Sequence, residues 1–442
     1  MKLFFKPFYR LYRLFSWMRY ATGRRLTPAG RLVFVAFLVS ALMGVDVENT
    51  LAYQGFALLL GLLVVAVFWS LTFRGAFSAT RRLPRFATAG QPFDYSVFVK
   101  NLTPRVQRDL TLLENFADPR PAFSEWLVVQ LAEERRARSF RVNSRRPRQP
   151  FRAAEARDAL VPSLRPNEAA EARVEVTPLR RGLLRFCGMT LARPDPFGLF
   201  RAFVKVPLPQ TVLVLPKRYP LPPLALPGAR KYQHGGVALA SSVGQSDEFV
   251  ALREYRRGDP LRHIHWRSWA KTGKPIVKEF EDEFFARHAL VLDTFAGDPR
   301  SEAFEEAVAV AASFACALET QESLLDLLFV ESRAYCFTAG RGLAHEDQML
   351  EVLASVRPCA EKRFSTLEHL VLDHAAVVSG CICVLLAWDA PRRSLVQKLE
   401  ALGVPVMTLV VVEPGTVVDA EAAPRQFRVL EVGKIEAGLA TL

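Results

Sequence analysis

The sequence predicts two transmembrane helices, then an all-β sandwich-like domain, then an α/β domain with a mostly parallel sheet. Three observations carry that prediction. Two apolar runs lie within the first 75 residues. Short alternating apolar runs follow to about residue 215, and after a proline-rich stretch strand-like runs alternate with amphipathic helical ones. At 442 residues, half of them apolar, the chain can bury more than one core.

Residues 1–31 form a basic leader with no acid: Lys2, Lys6, Arg10, Arg13, Arg19, Arg24, Arg25 and Arg31. Residues 32–73 are expected to form a helical hairpin. Its first run, Leu32 to Val45, borrows flanking residues to reach the roughly 20 needed to span a bilayer, whereas Leu51 to Leu71 is long enough as it stands. A cleaved signal peptide is disfavoured by the long leader, the lack of a small-x-small site and the immediate second run. Cations flank both ends (Arg74, Arg81, Arg82 and Arg85 follow), while Asp46 and Glu48 sit in the intervening turn. The positive-inside tendency then places both the N-terminus and the large C-terminal region in the cytoplasm, on a multi-pass inner-membrane protein. The aromatics interleaved with cations in FFKPFYRLYRLFSWMRY suit either a segment lying on anionic lipid or a simple orientation signal.

Residues 75–215 read as the sandwich-like domain. Phe93 to Asn101 alternates, Asp109 to Glu114 follows a turn, and EARVEVTPL, GLLRFCGMTLA and TVLVLP continue the pattern. An insertion at 135–152 has eight arginines and no acid. Only Phe140 and Phe151 interleave there, so anionic lipid or plain solvent suits this loop better than nucleic acid. The net charge of +13 favours an anionic partner without naming it. Residues 216–245 form a Pro-rich linker.

Residues 246–442 are expected to be α/β. His288 to Asp293 is a strand ending in a carboxylate, and Asp298-Pro299 opens a helix with Phe304, Val308, Ala311 and Ala315 on one stripe. Leu324 to Val330 and Ala334 to Thr338 are strands, His345 to Val356 is a helix, and Ser365 to Glu368 is a capping box. Cys381 to Ala387 is a buried strand, Asp389 and Pro391 open a helix that Gly403 ends, and Val406 to Val412 is the last strand. Six cysteines without CxxC spacing read as reduced thiols, with Cys381 and Cys383 on one side of their strand.

Ligands of such sheets lie beyond the carboxyl ends of the strands, which makes Asp293 and Asp389 candidates. The arrangement resembles the von Willebrand factor type A fold, whose metal motif begins Asp-x-Ser-x-Ser. Here Phe295 and Gly297 stand at the serine positions, so a divalent ion such as magnesium would rest on Asp293, with Asp298 and Asp389 as further ligands and water completing the shell. No other cofactor is expected, and no nucleophile elbow, HExxH or Walker A motif is present. Within Glu254 to Glu283, a strand would place His263 and His265 on one face beside Arg262, Ile264 and Trp266, half of a zinc site at most. Asp259, in the Gly258-Asp259-Pro260 turn, can take Arg253 or Arg262 bidentately, with Glu254, Glu279 and Glu281 as further acceptors.

Glu248-Phe249, Leu252-Arg253-x-Tyr255, Gly258-Asp259, Arg262-x-Ile264-x-Trp266, Ala270-Lys271 and the Glu279/Glu281 tail resemble the signature of the bacterial domain of unknown function 58 family. Arg180-Arg181-Gly182 followed by Asp195-Pro196-Phe197-Gly198-Leu199-Phe200 is similar to its second motif. The resemblance implies a membrane-anchored protein with a type A-like domain, commonly encoded beside MoxR-type AAA+ ATPases. It points to a scaffold or protein-interaction module in which the signature is a structural staple or docking surface. A metal-assisted hydrolase using Asp293 and Asp389, with His263 and His265, is the alternative.

Overall fold

The computed structural model describes residues 2–43, 50–118, 120–124, 126, 127, 131, 152–222, 243–257, 259, 261, 264–284, 286–297, 301–317, 323–340, 346–359, 361–419 and 423–442. The chain divides into two compact units, Met1–Lys217 and Arg218–Leu442.

Three helices open the first unit: α1 (Lys2–Arg25), α2 (Pro28–Met43) and α3 (Thr50–Leu71). Among the described residues one helix, Ala52–Leu71, is long and apolar enough to cross a membrane. The expected first span is described from Pro28 to Met43. Pro28 starts α2, and the Thr27 hydroxyl accepts from the Gly30 amide at 3.0 Å, so residues 26 and 27 separate α1 from α2 while Pro28 to Arg31 join the apolar run. The described part of α2 has 16 residues and ends at Met43, next to residues 44–49, which lie outside the described ones. The Asp46 to Asn49 turn lies outside the described residues. Helices α2 and α3 pack together, with the Phe37 and Phe56 rings stacked at 5.2 Å.

Among the described residues nine strands follow: β1 (Phe77–Arg82), β2 (Phe86–Thr88), β3 (Phe93–Asn101), β4 (Leu110–Phe116), β5 (Ala154–Ala156), β6 (Ala159–Val161), β7 (Ala169–Pro178), β8 (Gly182–Pro194) and β9 (Arg201–Leu215). They form a four-stranded sheet, β1-β3-β7-β5, and a five-stranded one, β2-β9-β8-β4-β6. Alternation turns Val97, Val99, Val174 and Val176 of the first sheet toward Leu112, Phe186, Met189 and Val212 of the second, and all lie in one core. Positions 135–151 of the Arg-rich insertion lie outside the described residues.

The second unit begins with β10 (Val243–Glu254), a short α4 (Trp266–Thr272) and β11 (Ile276–Phe284), the strands pairing as an antiparallel ribbon. A six-stranded sheet then combines β12 (Ala286–Leu292), β13 (Ser323–Val330), β14 (Ala334–Ala339), β15 (Gly380–Leu385), β16 (Val406–Val412) and β17 (Gln426–Glu431) in the order β14-β13-β12-β15-β16-β17. It is mostly parallel, with β14 antiparallel at one edge. Its helices are α5 (Glu302–Ala317), α6 (Glu346–Ser355), α7 (Ser365–His374), α8 (Ala390–Ala401) and α9 (Ile435–Leu439). Ala289, Val291, Cys381 and Cys383 pack with Leu367, Val371, Leu395 and Leu399 of α7 and α8, while α5 contacts β12, β15 and β16. Helices on both faces account for the uninterrupted apolar runs of β15 and β16.

Two local expectations fail. Val406 to Val412 is not the last strand, because the half-exposed β17 pairs beyond it. Nor does the Ser365 to Glu368 box form: Phe364 occupies the N-cap without a side-chain bond, and Glu368 instead takes Lys398 at 2.7 Å. Asp298-Pro299 lies outside the described residues. All six cysteines are free thiols, three of them buried, and Cys381 and Cys383 share a side with their sulfurs 3.6 Å apart.

His288 on β12 is buried, and its Nδ1 has no hydrogen-bond partner. Burial disfavours the imidazolium and holds its pKa below the ordinary histidine value. A depressed folded pKa gives stability that is present above the unfolded value, about 6.5, and is lost as pH falls through the folded one. Between pH 7.5 and 5.5 the wild-type melting temperature should therefore drop more than that of His288→Leu; equal drops would exclude this source.

Candidate functional site

The carboxyl end of β12 is closed from within. Asp293 is fully buried; its Oδ1 accepts from the Phe295 amide at 2.9 Å, and its Oδ2 from the Leu386 amide at 3.0 Å and Arg392 Nε at 2.6 Å. Arg392 also donates through Nη1 to Asp389 Oδ2 at 2.7 Å, and Asp389 caps α8 by accepting from the Arg392 amide. The guanidinium lies over the Phe364 ring at 4.8 Å, and Phe364 meets Phe295 edge-on. Burial opposes the charge on Arg392, but the Asp293 and Asp389 carboxylates hold its pKa above the ordinary arginine value. Thr294 turns away, its hydroxyl donating to the Val330 carbonyl.

The structure thus brings Asp293 and Asp389 together through an internal cation. These residues do not fit magnesium: a hard divalent ion needs carboxylate oxygens free to coordinate it, and here both side chains are engaged by arginine and backbone donors. Among the described residues no group of three or more His, Cys, Asp or Glu could hold a metal ion. Sequence reading missed Arg392, although Asp389-x-x-Arg392 at a helix start was a visible signal for an i,i+3 pair.

The signature forms the ribbon of β10 and β11 and its connection. Arg253 clamps Asp259 bidentately, Nη1 to Oδ2 at 2.7 Å and Nη2 to Oδ1 at 2.8 Å, and the Arg256 amide donates to Oδ2 at 2.7 Å. The Arg253 guanidinium, followed by that amide, lowers the Asp259 pKa to about 2. Tyr255 donates its amide to the Pro275 carbonyl at 2.9 Å, tying the connection to the start of β11. Glu254 pairs with Lys274 at 3.1 Å. Glu248 lies on β10 and Glu279 on β11; Gly258, Pro260, Arg262 and His263 lie outside the described residues.

Over the described residues 264–266 the stretch does not continue as a strand. Ile264 makes one bridge to Val277, then Trp266 begins α4 with His265 at the N-cap and its Nδ1 2.6 Å from Ser268 Oγ. The helical turn brings Trp266 onto Trp269, ring centroids 5.3 Å apart, and leaves Trp266 65% exposed. Leu252 and Leu261 are exposed in the same segment.

The second motif is a seat for the helix junction. Asp195 Oδ1 accepts from the Leu199 and Phe200 amides at 2.6 and 2.9 Å, and Gly198, at φ +66°, closes the turn back to the Asp195 carbonyl. Phe197 of this turn is exposed. Thr27 docks on the turn, its amide donating to the Leu199 carbonyl at 3.1 Å and its hydroxyl to that of Gly198. Leu26 pairs with Phe200. A Cβ on Gly30 would stand 2.0 Å from the Leu199 oxygen, so Gly30→Ala must push α2 off this backbone. We expect a cost of about 1 to 3 kcal/mol, read as faster hydrogen exchange at Thr27 and Phe200; unchanged exchange would show that the contact is slack.

Residues 251–408 match the family described as "Protein of unknown function DUF58". A curated relative, "Uncharacterized protein YeaD" of Bacillus subtilis (strain 168), is 27% identical over 184 residues, covering 41% of this chain and 44% of its own length. Among solved structures, the CARDB domain of the PF1109 protein from Pyrococcus furiosus with di-metal ions is 14% identical, covers 32% of this chain and 96% of its own, and has a TM-score of 0.17. A cohesin module from a Clostridium perfringens ATCC13124 family 33 glycoside hydrolase is 8% identical, covering 32% and 98%, with a TM-score of 0.15. Scores this low carry no argument about fold or function. The family match and the Bacillus relative, both resting on sequence, support the DUF58 family for this chain.

Proposed function

We propose that the protein is a membrane-anchored interaction module, held by the α2–α3 hairpin in the cytoplasmic membrane, whose type A-like α/β unit docks a protein partner through the signature ribbon. The strand order with β12 central and helices on both faces supports the type A-like reading. The observation that carries the docking site is Trp266, stacked on Trp269 and 65% exposed. An exposed aromatic anchor held by a rigid neighbour is the residue type that dominates binding energy at interfaces. Arg256, Arg257, Arg267 and Lys271 are exposed in the same segment and favour an acidic partner surface. The Arg253–Asp259 clamp then acts as the staple that holds the connection. The strand-end face is the weaker docking candidate, since its carboxylates are occupied by Arg392, which also counts against the hydrolase reading.

The partner that the family resemblance implies is a MoxR-type AAA+ ATPase, with the pair serving assembly or maturation of other proteins. Full-length protein and a Trp266→Ala/Trp269→Ala variant, purified from native membranes under mild detergent, test this. An AAA+ ATPase retained by wild type and reduced at least about tenfold in the variant is the expected result, since loss of a hot-spot pair costs 2 kcal/mol or more. Equal retention by both would move docking off the ribbon, and no ATPase in either would sink the partnership.

A further inference from the structure

Helix α1 contains Lys2, Lys6, Arg10, Arg13, Arg19, Arg24 and Arg25 and no acid. One stripe of it holds the β-rich unit: the Tyr9 hydroxyl donates to the Pro121 carbonyl at 2.8 Å, and the Tyr9 and Tyr12 rings pack on the buried Trp126. At its end Arg24 donates to Asn115 Oδ1 at 2.6 Å and to the Glu114 carbonyl, and Arg25 lies over Phe200 and Phe203. The helix is therefore not a loose leader. It is fixed against the β-rich unit from Tyr9 to its last residue.

About 130° round the helix from that stripe, at 3.6 residues per turn, lie Leu11, Leu14, Phe15 and Met18, spaced i, i+3, i+4 and i+7. Each is 46–60% exposed. Arg10 and, further round, Lys6 flank this stripe on one side, Arg19 lies on the other, and Trp17, 54% exposed, sits at the margin. An aqueous surface gives no reason for an apolar stripe of this size on a helix whose opposite face is already satisfied. Nor would a helix that only signals orientation need to be bolted down. The apolar centre, cationic margins and marginal tryptophan match a helix lying in the headgroup region of an anionic bilayer, where arginines reach up to phosphates and the indole sits at the boundary.

The junction supplies the continuity. Thr27 and Gly30 dock on the Asp195 to Phe200 turn, and Phe73, just past the end of α3, lies under Arg193 at 4.3 Å. Both entrances to the apolar hairpin are thus seated at one end of β8 and β9, next to the unit that holds α1.

We propose that α1 is an interfacial helix whose Leu11, Leu14, Phe15 and Met18 face seats in the anionic leaflet of the membrane that α3 crosses, so that the β-rich unit is mounted on the bilayer by α1 and not merely tethered to it. The inference rests on the membrane-anchoring part of the proposed function, and is independent of what the signature ribbon binds.

The test uses full-length protein in nanodiscs of phosphatidylcholine alone or with phosphatidylglycerol, one lipid brominated just below the headgroup. Subtracting the emission of Trp17→Phe isolates Trp17. The expected result is loss of most Trp17 emission in the anionic discs, less loss in the neutral ones, and none in Leu11→Asp/Phe15→Asp. Arg10→Gln/Arg19→Gln, which keeps the apolar stripe, should abolish the anionic preference. Unquenched Trp17 in both discs, in a protein that still resists alkaline extraction from membranes, overturns the interfacial helix while leaving anchoring in place. Equal quenching in both discs overturns the requirement for anionic lipid. Extraction by alkali would remove the anchoring premise and this inference with it.

Discussion

Replacing Arg392 with methionine is expected to destabilise the α/β unit by about 3 to 5 kcal/mol, because it strands the fully buried Asp293 carboxylate without its cation. Methionine keeps much of the side-chain volume, so the loss reports charge and hydrogen bonding more than a cavity. The readout is amide hydrogen exchange of β12 and β15 in the full-length protein, which separates this unit from the β-rich one. The Asp293→Asn/Arg392→Met pair should recover part of the loss, since the amide leaves no buried charge and its one oxygen can still accept from the Phe295 or the Leu386 amide. A cost below about 1 kcal/mol for Arg392→Met would mean that water or another donor reaches Asp293, and the internal-cation account would fail.

Arg81→Met is expected to cost the β-rich unit a similar amount, about 3 to 5 kcal/mol. Arg81 on β1 and Glu114 on β4 belong to different sheets, yet their side chains meet at 2.7 Å with no exposure of either. The guanidinium also lies over Phe186 at 4.7 Å and donates to the Gly188 carbonyl. Burial pushes the Glu114 carboxyl above its ordinary range against the pull of Arg81. Burial, and then the Glu114 charge, push the Tyr95 phenol far up, keeping it neutral. Removing Arg81 leaves Glu114 to take a proton or to open the sheets. The variant should therefore be least stable relative to wild type at alkaline pH and regain stability as pH falls and Glu114 is protonated, a trend that pH-dependent denaturation would read. A deficit independent of pH would point to lost packing instead.

Much of the architecture was legible because it repeats locally. Alternation over Phe93 to Asn101 and the apolar runs of β15 and β16 specify strands wherever they lie in space. Asp389 with Pro391 specifies a helix start from neighbouring atoms alone, and that cap forms. The expectation weakened where a short segment had two local solutions. Residues 262–266 alternate like a strand, but Trp266 gains its stacking partner Trp269 only as a helix. The Ser365 box was available, but Glu368 is drawn to Lys398 on a neighbouring helix. Of Leu26 to Arg31, which the first apolar run could borrow, Pro28 to Arg31 join its helix, while Thr27 caps it and stops it from merging with α1.

The candidate site divides along the same line. That a carboxylate ends β12, that Asp259 sits in a tight turn near Arg253, and that the leader is cationic and aromatic all follow from adjacent residues. What answers those groups comes from far along the chain. Arg392 reaches Asp293 across 99 positions and Thr27 meets Gly198 across 171, while the Arg81–Glu114 pair joins two sheets. Periodicity and spacing specify which face of an element is apolar and where it stops, because both depend on bonds a few residues long. Which charge neutralises a buried carboxylate depends on sheet order and on which helices cover it, and those are set by the packing of whole elements.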